Sequence, residues 1–117
     1  MYEFGGHVYY TTKRDYGDNM ENMVVKEVDN ETPIFSLQRY KSHNVIPNDL
    51  AVVGTGDETF FFVGLSSQNE QSNGLYYKCY QNGVVKALNG ADNTYNVLEL
   101  DASIFGDELY VYASKSR

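Results

Sequence analysis

TFFFVGL, residues 59–65, decides the architecture. In an extended strand, successive side chains point to opposite faces. Phe60, Phe62 and Gly64 then share one face, and Phe61, Val63 and Leu65 share the other. A strand that is polar on one side can line a surface. This one is apolar on both sides, so both must be covered. It reads as a central strand with a layer above and a layer below: a second sheet, a rolled barrel wall, or a helix.

The residues just upstream, VVGTGDE (52–58), raise the question of a phosphate loop. A dinucleotide fingerprint needs a third glycine three residues after the pair, followed by a helix whose N-terminus meets the phosphate. Here that position is Thr59, and the aromatic run after it continues as strand. Asp57 and Glu58 would also repel phosphate. Gly54-Thr55-Gly56 therefore reads as a turn between antiparallel strands.

Working outward, period-two patterning dominates. Strands are expected over 7–13, 23–28, 34–40, 50–53, 75–80, 84–88 and 108–113. Polar loops are expected over 14–22, with Gly17 at the centre, over 41–49 with Pro47, and over 66–74. Asn82-Gly83, between two alternating runs, is a strong hairpin signal, because both residues tolerate positive φ. Gly106-Asp107 reads as another turn. TYNVLELDASIF (94–105) fits two templates. Val97 and Glu99 alternate with Leu98 and Leu100 as in a strand, here favoured for 96–101. Tyr95, Leu98, Ala102 and Phe105 also approach one face of a helix capped by Asn93 or Thr94. The expected fold is one mainly β domain over 1–117, a small antiparallel β-sandwich or rolled sheet or barrel. The alternative is α+β with one helix near 94–105.

The 117 residues suffice for one domain with a core of its own. The formal net charge is −7. Binding to a phosphate backbone needs clustered Lys and Arg, so nucleic acid is not an expected partner. Anionic membrane surfaces are disfavoured for the same reason, and no run approaches the length of a membrane span. The charge fits a basic protein partner; solubility alone also accounts for it. The opening residues lack the pattern of a secretory signal. With a single cysteine no internal disulfide forms, which fits a cytoplasmic setting.

Residues that could carry chemistry are few. His7 and His43 stand alone, without the spacing of a zinc site. Asp15, Asp18 and Glu21 are rich in oxygen but out of register with a calcium loop. Cys79 lies inside an expected strand, where a small packed side chain is more common than a nucleophile. Ser66 and Ser67 lack a nucleophile-elbow context. The expectation is a non-enzyme with no cofactor and no metal.

Eleven tyrosines and no tryptophan set the surface apart. Tyr110 and Tyr112 share a face, as do Tyr76, Lys78 and Tyr80. Tyrosine suits recognition because it offers a large contact area with little rotamer freedom to lose. Cross-strand pairing within the sheet is the competing use. The candidate partner-binding residues are Asp15, Asp18, Asp57, Glu58, Tyr76, Tyr80, Tyr110 and Tyr112.

The order IFSLQRY (34–40), IPNDLAVVGTGDETFFFVGL (46–65) and GLYYKCYQNGVVKAL (74–88) resembles the SUKH superfamily. In that family a strand ends in a glycine-acid turn, an apolar strand follows, and then a strand carrying paired tyrosines. The resemblance implies an α+β fold with a helix over TYNVLELDASIF, and a non-enzymatic protein that binds and neutralises toxins. The functional expectation is an inhibitor or immunity-type protein, of a phage or mobile element, acting on a basic protein. Two alternatives stand beside it: a structural module of a virion or other assembly, and a carbohydrate-binding module. Missing tryptophan counts against the last.

Overall fold

The computed structural model describes residues 1–54, 58–79, 84–88 and 95–116. The first sheet is β1 (Tyr2–Phe4), β2 (His7–Gly17), β3 (Met20–Glu27) and β4 (Phe35–Tyr40), in that spatial order. The second is β5 (Ile46–Val53), β6 (Phe60–Ser66), β7 (Gly74–Cys79) and β8 (Lys86–Ala87), again in chain order. The third is a hairpin of β9 (Asn96–Phe105) and β10 (Glu108–Ser116). All pairings described are antiparallel. The protein is mainly β, as expected, and among the described residues helical structure is limited to short 3-10 turns such as Lys41–His43 and Glu70–Ser72.

β6 lies between β5 and β7, and its two apolar faces generate two core layers. Phe61, Val63 and Leu65 pack with Leu50 and Val52 of β5 against Tyr9, Met23, Val25 and Phe35 of the first sheet. Phe62 packs with Ala51, Val53 and Leu75 against Val97 and Leu100 of β9. Burying each large apolar side chain contributes about 1.5–3 kcal/mol. The middle sheet is thus covered on one side by a sheet and on the other by a hairpin.

Four sequence expectations are corrected. The strand Tyr2–Phe4 went unforeseen; Gly5 and Gly6, at φ +60° and +82°, turn it into β2. The loop expected over 14–22 is instead a continuous hairpin turning at Asp18-Asn19. Both residues take positive φ, 43° and 66°, the two-residue geometry that matches strand twist. The loop over 41–49 shrinks to a 3-10 turn and an αL Asn44, because β5 starts at Ile46 and runs through Pro47. Pro47 is tolerated there because β5 is an edge strand and its register shifts between Pro47 and Asp49. The strand over 84–88 is reduced to Lys86–Ala87, and the Asn82-Gly83 and Gly54-Thr55-Gly56 turns lie partly or wholly outside the described residues.

The segment near 94–105 is strand from Asn96 to Phe105, not helix, and so departs from the SUKH-like expectation of a helix there. Its double reading has a physical cause. Glu99 pairs with Ser114 and Val97 with Lys115, which leaves Leu98 as the extra residue of a β-bulge. The bulge lets Val97 and Leu100 both face the core at a spacing of three, the spacing of a helical face.

β9 crosses the middle sheet closely at Gly64. A Cβ on Gly64 would stand 2.5 Å from Cγ1 and 2.9 Å from Cβ of Val97. Val97 is β-branched and stiff, so the backbone has to give way. Gly64→Ala is expected to destabilise the fold by about 1–3 kcal/mol. The urea midpoint, with an unchanged m-value, measures it; a midpoint equal to that of the wild type contradicts the close crossing.

Candidate functional site

The predicted binding residues that are described do not gather at one place. Asp57 and Tyr80 lie outside the described residues. Asp15 and Asp18 sit at the tip of the β2–β3 hairpin, and Glu58 is exposed just before β6. Asp15 is engaged locally: Lys41 Nζ lies 2.8 Å from Oδ1, which also accepts the Gly17 N–H. The hydrogen bond from Lys41, then that from Gly17, holds its carboxyl below the usual carboxylate range.

Tyr76 turns inward. It pairs with Val63, so its ring lies on the first core layer. The Arg39 guanidinium covers that ring at 5.0 Å, and the Tyr76 hydroxyl donates to the Asn73 carbonyl. Lys78 shares this face and donates to the Ile34 carbonyl at 3.0 Å. The face of β7 read from sequence as an outer surface is therefore a seam between the first two sheets.

Beside that seam lies the richest polar cluster among the described residues. The 3-10 turn Lys41–His43 meets the connection between β6 and β7. Asn69 Oδ1 accepts the Gln71 N–H, which aims Asn69 Nδ2 at His43 Nε2, 3.3 Å away. Nε2 must then accept, so Nδ1 carries the proton and donates to Ser72 Oγ at 2.5 Å. A Ser-His-Asn set exists, but its hydrogen bonds run against nucleophilic catalysis. An imidazole that donates to a hydroxyl cannot also take that hydroxyl's proton. Ser72 is also only 3% exposed. Ser67 Oγ donates to the His43 carbonyl at 2.7 Å and completes the tie. The cluster stitches two connections that carry few apolar residues.

Among the described residues, no three His, Cys, Asp or Glu side chains come together to hold a metal, and no helix is long and apolar enough to cross a membrane. Cys79 is half-buried at the end of β7, paired with Phe60. A hollow of about 310 Å³ opens among Phe4, Tyr9, Ile34 and Phe61, with His7 Nδ1 2.7 Å from Glu27 Oε2 at its wall. A wedge of about 410 Å³ lies between Phe60, Phe62 and Tyr77 of the middle sheet and Leu109 and Val111 of β10.

The third sheet does bring predicted residues together. Leu100, Ala102, Val111 and Ala113 face the core, so their alternates face solvent. That outward face carries Glu99, Asp101 and Phe105 on β9, and Glu108, Tyr110 and Tyr112 on β10. Phe105 is 69%, Tyr110 50% and Tyr112 64% exposed. The Phe105 and Tyr110 rings meet edge-on at 5.7 Å. Tyr110 donates to Glu108 at 2.6 Å, which together with desolvation raises its hydroxyl pKa. Phe105 was missed in the sequence because its segment read partly as helix. The Gly106-Asp107 turn was the available signal, since it sets Phe105 on the face of the two tyrosines.

No family model, curated protein or solved structure matches this chain.

Two measurements check the polar clusters. Ser72→Ala leaves His43 without its acceptor and is expected to cost about 1–3 kcal/mol, read from the denaturation midpoint. The Asp15 carboxyl is expected to titrate below the ordinary aspartate range by carbon NMR, and Lys41→Ala to move its midpoint up. A depressed carboxyl adds stability above its unfolded-state pKa and loses that contribution as pH falls through its folded value. Full exposure keeps the effect on acid stability small.

Proposed function

We propose that this chain is a non-enzymatic protein-binding domain, an inhibitor or immunity-type protein, and that the outward face of the β9–β10 hairpin recognises a basic protein partner. One observation carries the reading: Phe105, Tyr110 and Tyr112 stand exposed side by side on a face turned away from the core. Aromatic side chains held in water without a packing role mark interaction surfaces. Hot spots are rich in tyrosine and are ringed by polar residues that exclude water. Here the ring is acidic, with Glu99, Asp101 and Glu108 on the same face.

Charge on such a rim steers encounter, and desolvated aromatics hold the complex. The role matches what the SUKH resemblance implies, although the proposal stands on the hairpin rather than on that likeness. A sugar-binding use fits less well. The Phe105 and Tyr110 planes are inclined by 68°, so they do not form a flat stacking platform.

The test compares the tagged chain with Phe105→Ser/Tyr112→Ser and with Asp15→Asn in capture from source lysate, with washes of rising salt. A basic protein is expected to be retained by the wild type and by Asp15→Asn, released by salt, and lost with the hairpin variant. Against the identified partner, Tyr112→Ala is expected to weaken affinity about thirtyfold, the scale of a hot-spot residue. Asp101→Lys is expected to slow association several-fold. Capture that survives the hairpin substitutions overturns the assignment of the face.

A further inference from the structure

The edge of the same hairpin, as distinct from its face, supports a second conclusion that does not depend on the first. The Gly106-Asp107 turn is a two-residue loop closed by the Phe105–Glu108 pair. In such a loop the closing pair exchanges both backbone hydrogen bonds, and alternate pairs along the ladder do the same. The pairs Ser103–Tyr110, Asp101–Tyr112 and Glu99–Ser114 are therefore bonded within the hairpin. The backbone groups of Leu100, Ala102 and Ile104 then point to the free edge of β9. Those of Leu109, Val111 and Ala113 point to the free edge of β10.

The two edges are finished differently. On β9, Asp49 Oδ2 accepts the Leu100 N–H at 2.6 Å and Asp101 Oδ1 accepts the Ala102 N–H at 2.9 Å. Asn48 Nδ2 donates to the Val97 carbonyl at 2.9 Å. Side chains thus bond that edge at the Leu100 and Ala102 amides. On β10, no described group bonds the amides of Leu109, Val111 or Ala113 outside the ladder.

Proteins usually shorten, charge, bulge or cover an exposed edge. Several other edges of this fold show those devices. β1 has three residues and β8 two. β2 beyond Tyr9 carries Lys13, Arg14 and Asp15 and ends in a bulge. β10 has nine residues, no proline, and charges only near its ends, at Glu108 and Lys115.

We propose that β10 is a self-association edge: two copies of the chain pair β10 to β10, antiparallel about a twofold axis at Val111, into one four-stranded sheet. The occupant is a second copy because the strand is complementary to itself. With Val111 opposite Val111, Leu109 faces Ala113 and Tyr110 faces Tyr112 of the second copy. Just beyond the strand, the same register carries the turn residue Asp107 toward Lys115, whose ammonium lies 5.7 Å from the Tyr95 ring, so each end of the joint brings opposite charges together. The edge-pointing amides of Leu109, Val111 and Ala113 fall at bonded positions. The tyrosines fall at non-bonded positions, where cross-strand side chains approach most closely.

Competing registers lose these features. A one-residue slip brings the inner row of one copy onto the outer face of the other. A two-residue slip sets Lys115 opposite Leu109 in one direction and Asp107 opposite Ala113 in the other, and either separates the Tyr110–Tyr112 pairs. An isologous contact of this kind closes at two copies and does not propagate.

Sedimentation equilibrium of the full chain over a wide concentration range tests the proposal. A monomer–dimer equilibrium is expected. Asp107→Lys and Lys115→Asp, both at exposed positions, are each expected to raise the dissociation constant several-fold to about tenfold, since each breaks two symmetric pairs. The double variant is expected to recover the wild-type constant. Val111→Pro removes one edge-pointing donor and is expected to abolish the dimer, with circular dichroism reporting whether the fold is kept. A chain that stays monomeric throughout overturns the proposal, including one that instead accepts a foreign extended peptide on this edge. So does a dimer indifferent to both charge reversals. Because Asp107 and Lys115 lie off the recognition face, dimerisation and partner capture can be lost separately.

Discussion

Everything in this fold depends on β6 being apolar on both sides. Phe61, Val63 and Leu65 need a partner layer, and so do Phe60 and Phe62. A single sheet with one wet face cannot satisfy them. The first sheet answers one side with Tyr9, Met23, Val25 and Phe35. The β9–β10 hairpin answers the other, and Gly64 sets how near it can come, because any side chain there would strike Val97.

The central strand was legible from the sequence because FFFVGL carries no polar residue, so both faces of an extended strand there need cover. The turn at Gly106-Asp107 was legible because glycine supplies its positive φ, 61° here. Other features resisted for definable reasons. Asp18-Asn19 turns a hairpin without glycine at either turn position, so it passed for the middle of a loop. Leu98 is inserted as a bulge, and one inserted residue converts strand spacing into apparent helix spacing. Tyr76 is the clearest misreading in the candidate site. Alternation showed that Tyr76 and Lys78 share a face, but not that β4 and the Arg39 side chain lie over it. Which face of a strand is wet is a tertiary fact wherever both faces carry amphipathic side chains.

The polar stitching follows from the layering. Three sheets joined by short connections leave backbone groups at the sheet ends that no ladder can satisfy. Ser67 and Asn69 answer them at one end, bonding the His43 carbonyl and the Asn69 and Gln71 amides, and the His43 side chain links Asn69 to Ser72. Asn48 and Asp49 answer the edge of β9. No buried side-chain nitrogen or oxygen among the described residues is left without a partner. The histidine and serines that invite an enzymatic reading are therefore occupied in holding connections together.

In the hairpin, the residues that serve stability are separate from those of the proposed recognition face. Leu100, Ala102, Val111 and Ala113 form its inner row and serve the core. Phe105, Tyr110 and Tyr112 form its outer row and stay exposed; among the described residues their aromatic contact is that of Phe105 with Tyr110, and Tyr110 also bonds Glu108. A roof of two strands over a sheet of four is too narrow to cover it, which is why a wedge remains between Tyr77 and Val111. The same narrowness puts both roof strands at an edge. One edge is sealed by carboxylates from β5 and from β9 itself. Had the other been sealed alike, the outer row would still offer a binding face, but the roof could not widen by pairing. Leaving β10 open lets a second copy supply the missing strands, and it lengthens the aromatic row without placing any further apolar residue in water.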